Sequence, residues 1–170
     1  MDVFTAVKER RSIRKFLKKD ISEDVLDKLV DALIWAPSAG NLQSRKFFFI
    51  SDEKTKGRLA SAALNQGFIS DAPVIVVCCA DTAKASPYGQ RGIELYALQD
   101  VSASIMAMML VAHEAGLGTC WVGAFKDEEV SRVLGLGNML RPVAIVPVGY
   151  PAKIPKPTSR VSRTEAVEFR

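Results

Sequence analysis

The sequence predicts one domain that mixes helices and strands. The chain has 170 residues, of which 48% are hydrophobic, so it can bury a sizeable core. Apolar residues recur at helical spacing over 22–36 and 93–115. Unbroken apolar runs at 73–80 and 143–148 have the length and the β-branched content of strands buried on both faces. We find no internal repeat, so residues 1–170 are predicted to form a single domain.

The first half of the chain predicts three helices and one strand. Residues 2–9 form a short amphipathic helix, and Ser22 is positioned to cap a second helix that Pro37 closes. A loop rich in small residues covers 36–43, and the apolar run 46–50 is a strand. Asp52 is positioned to cap a third helix that runs to about residue 64.

The second half begins with the strand 73–80 and continues with a long helix over 93–115. This helix is apolar on almost every side, which places it in the middle of the protein or in a subunit interface. A short strand over 119–122, a helix capped by Asp127 and a strand over 143–148 follow. From Pro151 the chain is rich in proline, and we expect an extended tail that reaches across another subunit.

The stretch 10–16 places four cations and a hydroxyl within seven residues. In an extended segment Arg10, Ser12 and Arg14 would lie on one side and Ile13 on the other. Arginine offers a planar fork of N–H donors that matches phosphate oxygens, so this side would suit a phosphate monoester. The alternative is a basic cluster whose charge complements the dipole at the C-terminus of a helix.

The loop 36–43 is the second candidate. Its small residues allow the backbone to approach a flat ligand closely, and Ser38, Asn41 and Gln43 add directional donors and acceptors. The alternative is an ordinary turn in which the serine and asparagine side chains bond their own backbone.

Composition argues against several other classes of protein. A net charge of +4 and a pI near 9.0 allow an anionic ligand without requiring nucleic acid. We see no metal-ligand spacing, no signal peptide and no apolar run of transmembrane length. The three cysteines, Cys78, Cys79 and Cys120, are expected to be small buried residues in a reducing cytoplasm. His113, the one histidine, lies in an apolar helix and suits a core or interface position better than a catalytic base.

Five motifs stand in order along the chain: Arg10-Arg11-Ser12-Ile13-Arg14, Pro37-Ser38-Ala39-Gly40-Asn41-Leu42-Gln43, Ala72-Pro73-Val74, Gly116-Leu117-Gly118-Thr119-Cys120-Trp121-Val122-Gly123-Ala124-Phe125, and Arg141-Pro142-Val143 leading to Gly149-Tyr150-Pro151. Together they resemble the FMN-dependent nitroreductase family over nearly the whole chain. The resemblance implies an α+β fold with a mixed, mainly antiparallel sheet flanked by helices. It also implies an intertwined homodimer with FMN in both interface clefts and with the tail 151–170 packed on the partner subunit.

The resemblance assigns one group of residues to the FMN phosphate. Arg10 and Ser12 are expected to bind it, Arg11 belongs to the same motif, and Arg160 matches the late basic residue that returns to it. Arg163 is a second candidate for this role.

A second group is assigned to the flavin ring: Arg14, Pro37, Ser38, Ala39, Asn41, Asn65, Gly123 and Ala124. The loop residues among them are expected to come from the partner subunit. Arg14 and Asn65 would stabilise the negative charge that develops on the pyrimidine edge when hydride reaches flavin N5. The backbone at Gly123 and Ala124 would meet N5 itself.

The implied activity is transfer of reducing equivalents from NAD(P)H through FMN to a nitroaromatic, quinone or related acceptor by a ping-pong mechanism. The flavin carries the chemistry, so no catalytic side chain is assigned. The sequence departs from the family in three places. Ser44-Arg45 follows Gln43 where an aromatic is common, and Ala124 stands where a second acidic or glycine residue lies near N5. The long insertion that covers the flavin in some members is missing. Reductive dehalogenation, flavin fragmentation, a non-catalytic flavin-binding module and a basic nucleic-acid-binding domain remain as alternatives.

Overall fold

The computed structural model describes residues 1–170. Its helices are α1 (Val3–Glu9), α2 (Glu23–Trp35), α3 (Glu53–Ala62), α4 (Phe68–Asp71), α5 (Thr82–Ala85), α6 (Gly89–Arg91), α7 (Ala97–Glu114), α8 (Asp127–Leu134) and α9 (Arg163–Ala166). Its strands are β1 (Arg45–Ile50), β2 (Val74–Asp81), β3 (Gly118–Thr119) and β4 (Leu140–Gly149). Two 3₁₀ turns, Ala39–Asn41 and Ser86–Tyr88, and one π-helical turn, Gly92–Tyr96, complete the regular structure.

The four strands form one sheet in the order β1-β2-β4-β3, and every neighbouring pair is antiparallel. The sheet gains a parallel element at its outer edge, where Ser12 bridges Thr119 of β3. The predicted α+β class with a mixed, mainly antiparallel sheet is therefore confirmed. The predicted strand over 119–122 is shorter than expected, because beyond Thr119 only an isolated bridge at Val122 joins β4.

Strand β2 is buried on both faces, which explains its unbroken apolar sequence. Val76 and Cys78 face the core formed with α2 and α7. Val77 and Cys79 face a second core formed with α3 and α8. The neighbouring cysteines thus point to opposite sides of the sheet, and both are free and buried.

Helix α7 lies in the first core, where Val101, Ile105 and Met108 are fully buried. Its opposite face, with Ala107 and Leu110, is only half-buried in the chain. The helical stretch 82–114 is long and apolar enough to span a membrane by length and composition alone, so the expectation that no segment reaches that length was wrong. The core helix of a globular protein passes the same test, and α7 packs against α2 and the sheet.

The predicted helix caps are only partly correct. Asp52 caps α3 as expected, since its carboxylate accepts from Thr55 N–H at 2.7 Å. Ser22 occupies the N-cap of α2, but its hydroxyl makes no capping hydrogen bond. Asp127 is the first residue inside α8 rather than its cap, where its charge still complements the helix dipole.

The C-terminal tail is exposed from Ala152 to Arg170. It leaves the body of the chain beside residues 15–17, where Ala152 N–H donates to Lys15 C=O at 2.8 Å. Its only regular element is the single turn α9. Ile154, Val167 and Phe169 extend into solvent, and Phe169 is 91% exposed.

Candidate functional site

Arg10 directly follows α1, and its backbone N–H donates to Ala6 C=O at 3.0 Å. Its side chain is half-buried, and its buried Nε and Nη1 atoms have no hydrogen-bond partner. Burial lowers the pKa of Arg10, and the nearby charges of Arg160 and Arg11 lower it further. A buried donor without a partner costs about 1–3 kcal/mol, so this guanidinium is suited to receive an anion.

Ser12 and Ile13 lie along the edge of the sheet at β3. Ile13 N–H donates to Thr119 C=O at 2.9 Å, and the Ile13 side chain is buried against Gly118, where any Cβ would clash with it. Ser12 is half-buried and Arg14 is exposed on the other side. This is the alternation predicted for an extended segment.

Cys120 directly follows β3. It is 1% exposed, and burial raises the pKa of its thiol. The charges of Arg14 and Arg10 and the hydroxyl of Ser12 act against that rise. The burial of Cys120 was predicted from the sequence, but the influence of Arg14 and Arg10 on its thiol was not.

Arg160 comes from the far end of the chain and lies near enough to Arg10 to lower its pKa. Its Nη1 donates to Thr158 Oγ1 at 2.7 Å and to Ser159 C=O at 2.9 Å, which orients the exposed guanidinium. Arg163 does not contribute to the shift at Arg10. Charges from both ends of the chain therefore act on Arg10.

The guanidinium of Arg11 turns back toward α1. Its Nη1 donates to Lys8 C=O at 2.6 Å and to Arg10 C=O at 2.9 Å, which satisfies carbonyls at the C-terminus of α1. The alternative interpretation of the basic stretch, as charge at a helix C-terminus, thus applies to Arg11. Arg10 and Arg11 both line a cavity of about 250 Å³ that also includes His113. The buried Nε2 of His113 has no partner.

Asn65, Gly123 and Ala124 were predicted for the flavin ring, and Gln66 connects the two segments that contain them. Leu64 and Asn65 both adopt the left-handed conformation after α3, with φ of 58° and 59°. The next residue, Gln66, donates from Nε2 to Ala124 C=O at 3.0 Å and to Ala63 C=O at 2.9 Å. Gln66 therefore fixes the segment that contains Ala124 against the end of α3, a role that the sequence analysis missed.

Arg14 connects the two parts. Its guanidinium carbon lies 5.8 Å from the ring centroid of Phe68, the first residue of α4, which follows Asn65 by three positions. The segment that contains Arg10 and Ser12 thus contacts, through Arg14, the helix that follows Asn65.

The loop that contains Pro37, Ser38, Ala39 and Asn41 is held by two buried charged residues, Asp100 and Arg45. Ala39 N–H donates to Asp100 Oδ1 at 2.9 Å, and Ser44 Oγ donates to the other carboxylate oxygen. Arg45 donates to the carbonyls of Pro37 at 3.0 Å, Ala36 at 2.7 Å and Ile34 at 2.9 Å. Burial lowers the pKa of Arg45, while the charge of Asp100 raises it.

The loop geometry combines both interpretations offered by the sequence. Ser38 Oγ accepts from Gln43 N–H at 3.0 Å, as in an ordinary self-bonded turn. Gly40, Asn41 and Gln43 nevertheless all adopt positive φ, and a Cβ at Gly40 would clash with the hydroxyl of Tyr88. The hydroxyl of Tyr88 thus packs against Gly40, and Asn41 is exposed at the surface of the loop.

The loop and the Arg10 cluster lie at opposite ends of α7. The loop is anchored at Asp100, near the start of this helix, whereas Arg10 lines its cavity with His113, near the end. At a rise of 1.5 Å per residue these two positions are about 20 Å apart along the helix axis. Within one chain the loop is therefore separated from the Arg10 cluster by most of the length of α7.

Comparison with known proteins gives consistent results. The sequence profile of the nitroreductase family matches residues 7–70 and 60–150. The chain is 30% identical to a protein named NADH dehydrogenase from Thermus thermophilus, over 198 aligned positions that cover 100% of this chain and 97% of that protein. It is 26% identical to a Bacillus subtilis FMN reductase [NAD(P)H], which it matches over 89% of this chain and 66% of that protein.

Among solved structures, an FMN-dependent nitroreductase from Clostridium difficile superposes with a TM-score of 0.84 at 25% identity, and the match covers 98% of both chains. The family profile spans most of the chain, and the fold, the sequence relatives and the order of the motifs agree with it. This chain therefore belongs to the nitroreductase family.

Proposed function

We propose that this protein is an NAD(P)H-dependent oxidoreductase with FMN as its cofactor. The observation that carries the proposal is the pair of buried, unpartnered donors on Arg10, with Ser12 and Arg160 close by. These groups suit the phosphate of FMN because a dianionic oxygen cluster would accept from donors that the chain leaves unsatisfied. Relatives named NADH dehydrogenase and FMN reductase [NAD(P)H] support the same cofactor and electron donor.

Bound FMN would supply the redox chemistry, by accepting a hydride from NAD(P)H and passing reducing equivalents to an acceptor such as a nitroaromatic or a quinone in a ping-pong cycle. The chain's own residues would bind and orient. Arg14 and Asn65 would stabilise negative charge on the pyrimidine edge of the ring. The backbone near Ala124, fixed by Gln66, would face the reactive edge. No side chain of the chain is required as an acid or base.

The site is completed in a homodimer in this proposal. The loop with Ser38 and Asn41 is anchored at Asp100, about 20 Å along α7 from His113 in the cavity of Arg10, so the loop would line the flavin of the partner subunit. Two exposed features support association. Strand β1 is an edge strand, beside a groove of about 420 Å³ between α2 and β1 that is lined by apolar residues such as Ile34 and Phe47 and by basic ones such as Lys46. The exposed tail 151–170 carries apolar side chains that could fill such a groove on the partner. A cytoplasmic location remains a prediction.

An absorption spectrum of the purified protein tests cofactor and activity together. We expect flavin bands that bleach when NADPH or NADH is added without oxygen and that return when a quinone or nitroaromatic is added. A protein that stays colourless after incubation with FMN would refute the proposal. Retained flavin that neither nucleotide bleaches would indicate the non-catalytic flavin-binding alternative.

Mixing two variants tests the shared site. Arg10→Ala removes the phosphate ligand, and Gly40→Val distorts the loop by a clash with Tyr88. Each homodimer should bind FMN weakly, whereas each mixed dimer would keep one intact site. Random re-association of equal amounts should restore about a quarter of the parental FMN binding. No recovery after subunit exchange, or a monomer by light scattering, would contradict a site built from two subunits.

A further inference from the structure

The segment 86–96, which leads into α7, has a backbone that glycine imposes. Gly89 has φ 59° and ψ −151°, a region essentially restricted to glycine. Gly92 leaves no room for a side chain because a Cβ would clash with Ala85 C=O. The π-helical turn Gly92–Tyr96 follows, and single π turns are frequent at functional sites. The local sequence thus holds residues 88–96 in one specific arrangement.

This arrangement places two tyrosines beside the loop 36–43, which would line the flavin. The rings of Tyr88 and Tyr96 meet edge to face, with centroids 5.4 Å apart and an interplanar angle of 81°. The Tyr88 hydroxyl touches Gly40, and Tyr88 is 46% exposed. An aromatic surface therefore extends outward from the loop that would line the flavin.

Arg91 lies at the outer end of this surface and is exposed. Its Nε donates to Tyr96 Oη at 3.0 Å, and its guanidinium carbon lies 5.5 Å from the Tyr96 ring centroid. These two contacts orient the guanidinium. The carboxylate of Glu94 accepts from Gln90 instead, and Arg91 forms no ion pair. Both Nη atoms of Arg91 are consequently free to donate to a ligand, in an orientation that Tyr96 fixes.

We propose that Arg91 binds a phosphate group of the pyridine nucleotide that reduces the flavin. This inference rests on the proposed function. A planar pair of N–H donors without a carboxylate partner matches a phosphate oxyanion. Gly40 contacts Tyr88, Tyr88 contacts Tyr96, and Tyr96 contacts Arg91, so these residues form a continuous row. A nucleotide with its nicotinamide over the flavin would extend its phosphates along this row toward Arg91. The phosphate is either the 2′-phosphate of NADPH or the diphosphate common to NADPH and NADH.

Stopped-flow reduction of the FMN-loaded enzyme by three hydride donors tests the proposal. The donors are NADPH, NADH and 1-benzyl-1,4-dihydronicotinamide, which has no phosphate. Arg91→Ala should raise the apparent Kd for nucleotide about 10-fold, at the low end for a charged hydrogen bond because the site is exposed. Arg91→Lys should recover only part of the affinity, because it keeps the charge and loses the fork. Arg132→Ala, at an exposed arginine on α8, is the matched control.

The three donors separate the outcomes. A loss for NADPH alone identifies the 2′-phosphate, and an equal loss for NADPH and NADH identifies the diphosphate. Unchanged affinity for both nucleotides overturns the proposal, and so does an equal loss with the benzyl donor or a loss of bound FMN. Failure of the proposed function is distinguishable, since the parental protein would then bind no flavin at all.

Discussion

Replacement of Arg10 by methionine should have opposite effects on the free protein and on the FMN complex. The change removes two buried donors that have no partner in the chain while keeping most of the side-chain volume. An unsatisfied buried donor costs about 1–3 kcal/mol, and we take one such cost for the pair because the side chain is only half-buried. The protein without FMN should therefore gain about 1–3 kcal/mol of stability.

The same change should weaken FMN. Loss of charged hydrogen bonds to the phosphate is worth about 1.5–3 kcal/mol, or roughly 10- to 150-fold in affinity. At an FMN concentration about 100 times the parental Kd, bound ligand stabilises the parent by about 2.7 kcal/mol. A variant whose Kd is about 100-fold higher would gain only about 0.4 kcal/mol under these conditions.

Thermal unfolding with and without FMN, at one protein concentration, measures both effects. For a chain of this size about 1 kcal/mol corresponds to a Tm change of roughly 2–4 °C. We expect Arg10→Met to raise the Tm without FMN and nearly to abolish the increase that FMN causes. Arg132→Met is the control and should change neither value. A lower Tm without FMN, together with an unchanged FMN-dependent increase, would show that Arg10 is structural and would refute the reasoning.

Three further predictions follow from the site and the core. Asp100→Ala should lower the free energy of unfolding by at least about 1.5–3 kcal/mol, because it removes the carboxylate that accepts from Ala39 and Ser44 and the charge beside Arg45. Urea titration would measure this change. An unchanged midpoint would show that Asp100 does not anchor the loop 36–43. Gly40→Ala should lower the free energy of unfolding by about 1–2 kcal/mol because residue 40 has a positive φ. Adding Tyr88→Ala should restore the part of this loss that comes from the clash between the new Cβ and the Tyr88 hydroxyl. Thermal unfolding of the single and double variants would measure both effects. Burial raises the pKa of Cys79 from 9.0 to about 12, so the folded state keeps a proton that the unfolded chain releases. The free energy of unfolding should therefore fall as pH rises from about 9 to 12. Cys79→Ala should reduce that fall, and an unchanged dependence of stability on pH would contradict the raised pKa of Cys79.

Most of the fold was predictable because the periodic spacing of apolar residues indicates which segments form helices and which form strands. The run 73–80 is apolar at every position, and in the structure β2 is covered on both faces by separate cores. The alternation in the basic stretch was also sufficient to place Ile13 inside and Arg14 outside. Such features depend on side-chain periodicity, which a single chain displays directly.

Helix boundaries were less predictable. Ser22 and Asp127 are both of residue types that are common at N-caps, but neither side chain makes the capping hydrogen bond. The choice among neighbouring polar residues depends on how the chain enters each helix, and packing against the rest of the molecule decides that entry.

The amino-acid sequence by itself determined the mixed fold, the order of its motifs and the phosphate-matching character of Arg10, Ser12 and Arg14, since these properties reside in composition and spacing. Only the tertiary structure decided that Arg11 turns back to its own helix, that Gln66 holds Ala124, and that the loop 36–43 lies at the far end of α7 from Arg10. These arrangements depend on contacts between residues distant in sequence, whose geometry is set by packing around α7 and the sheet rather than by local preference.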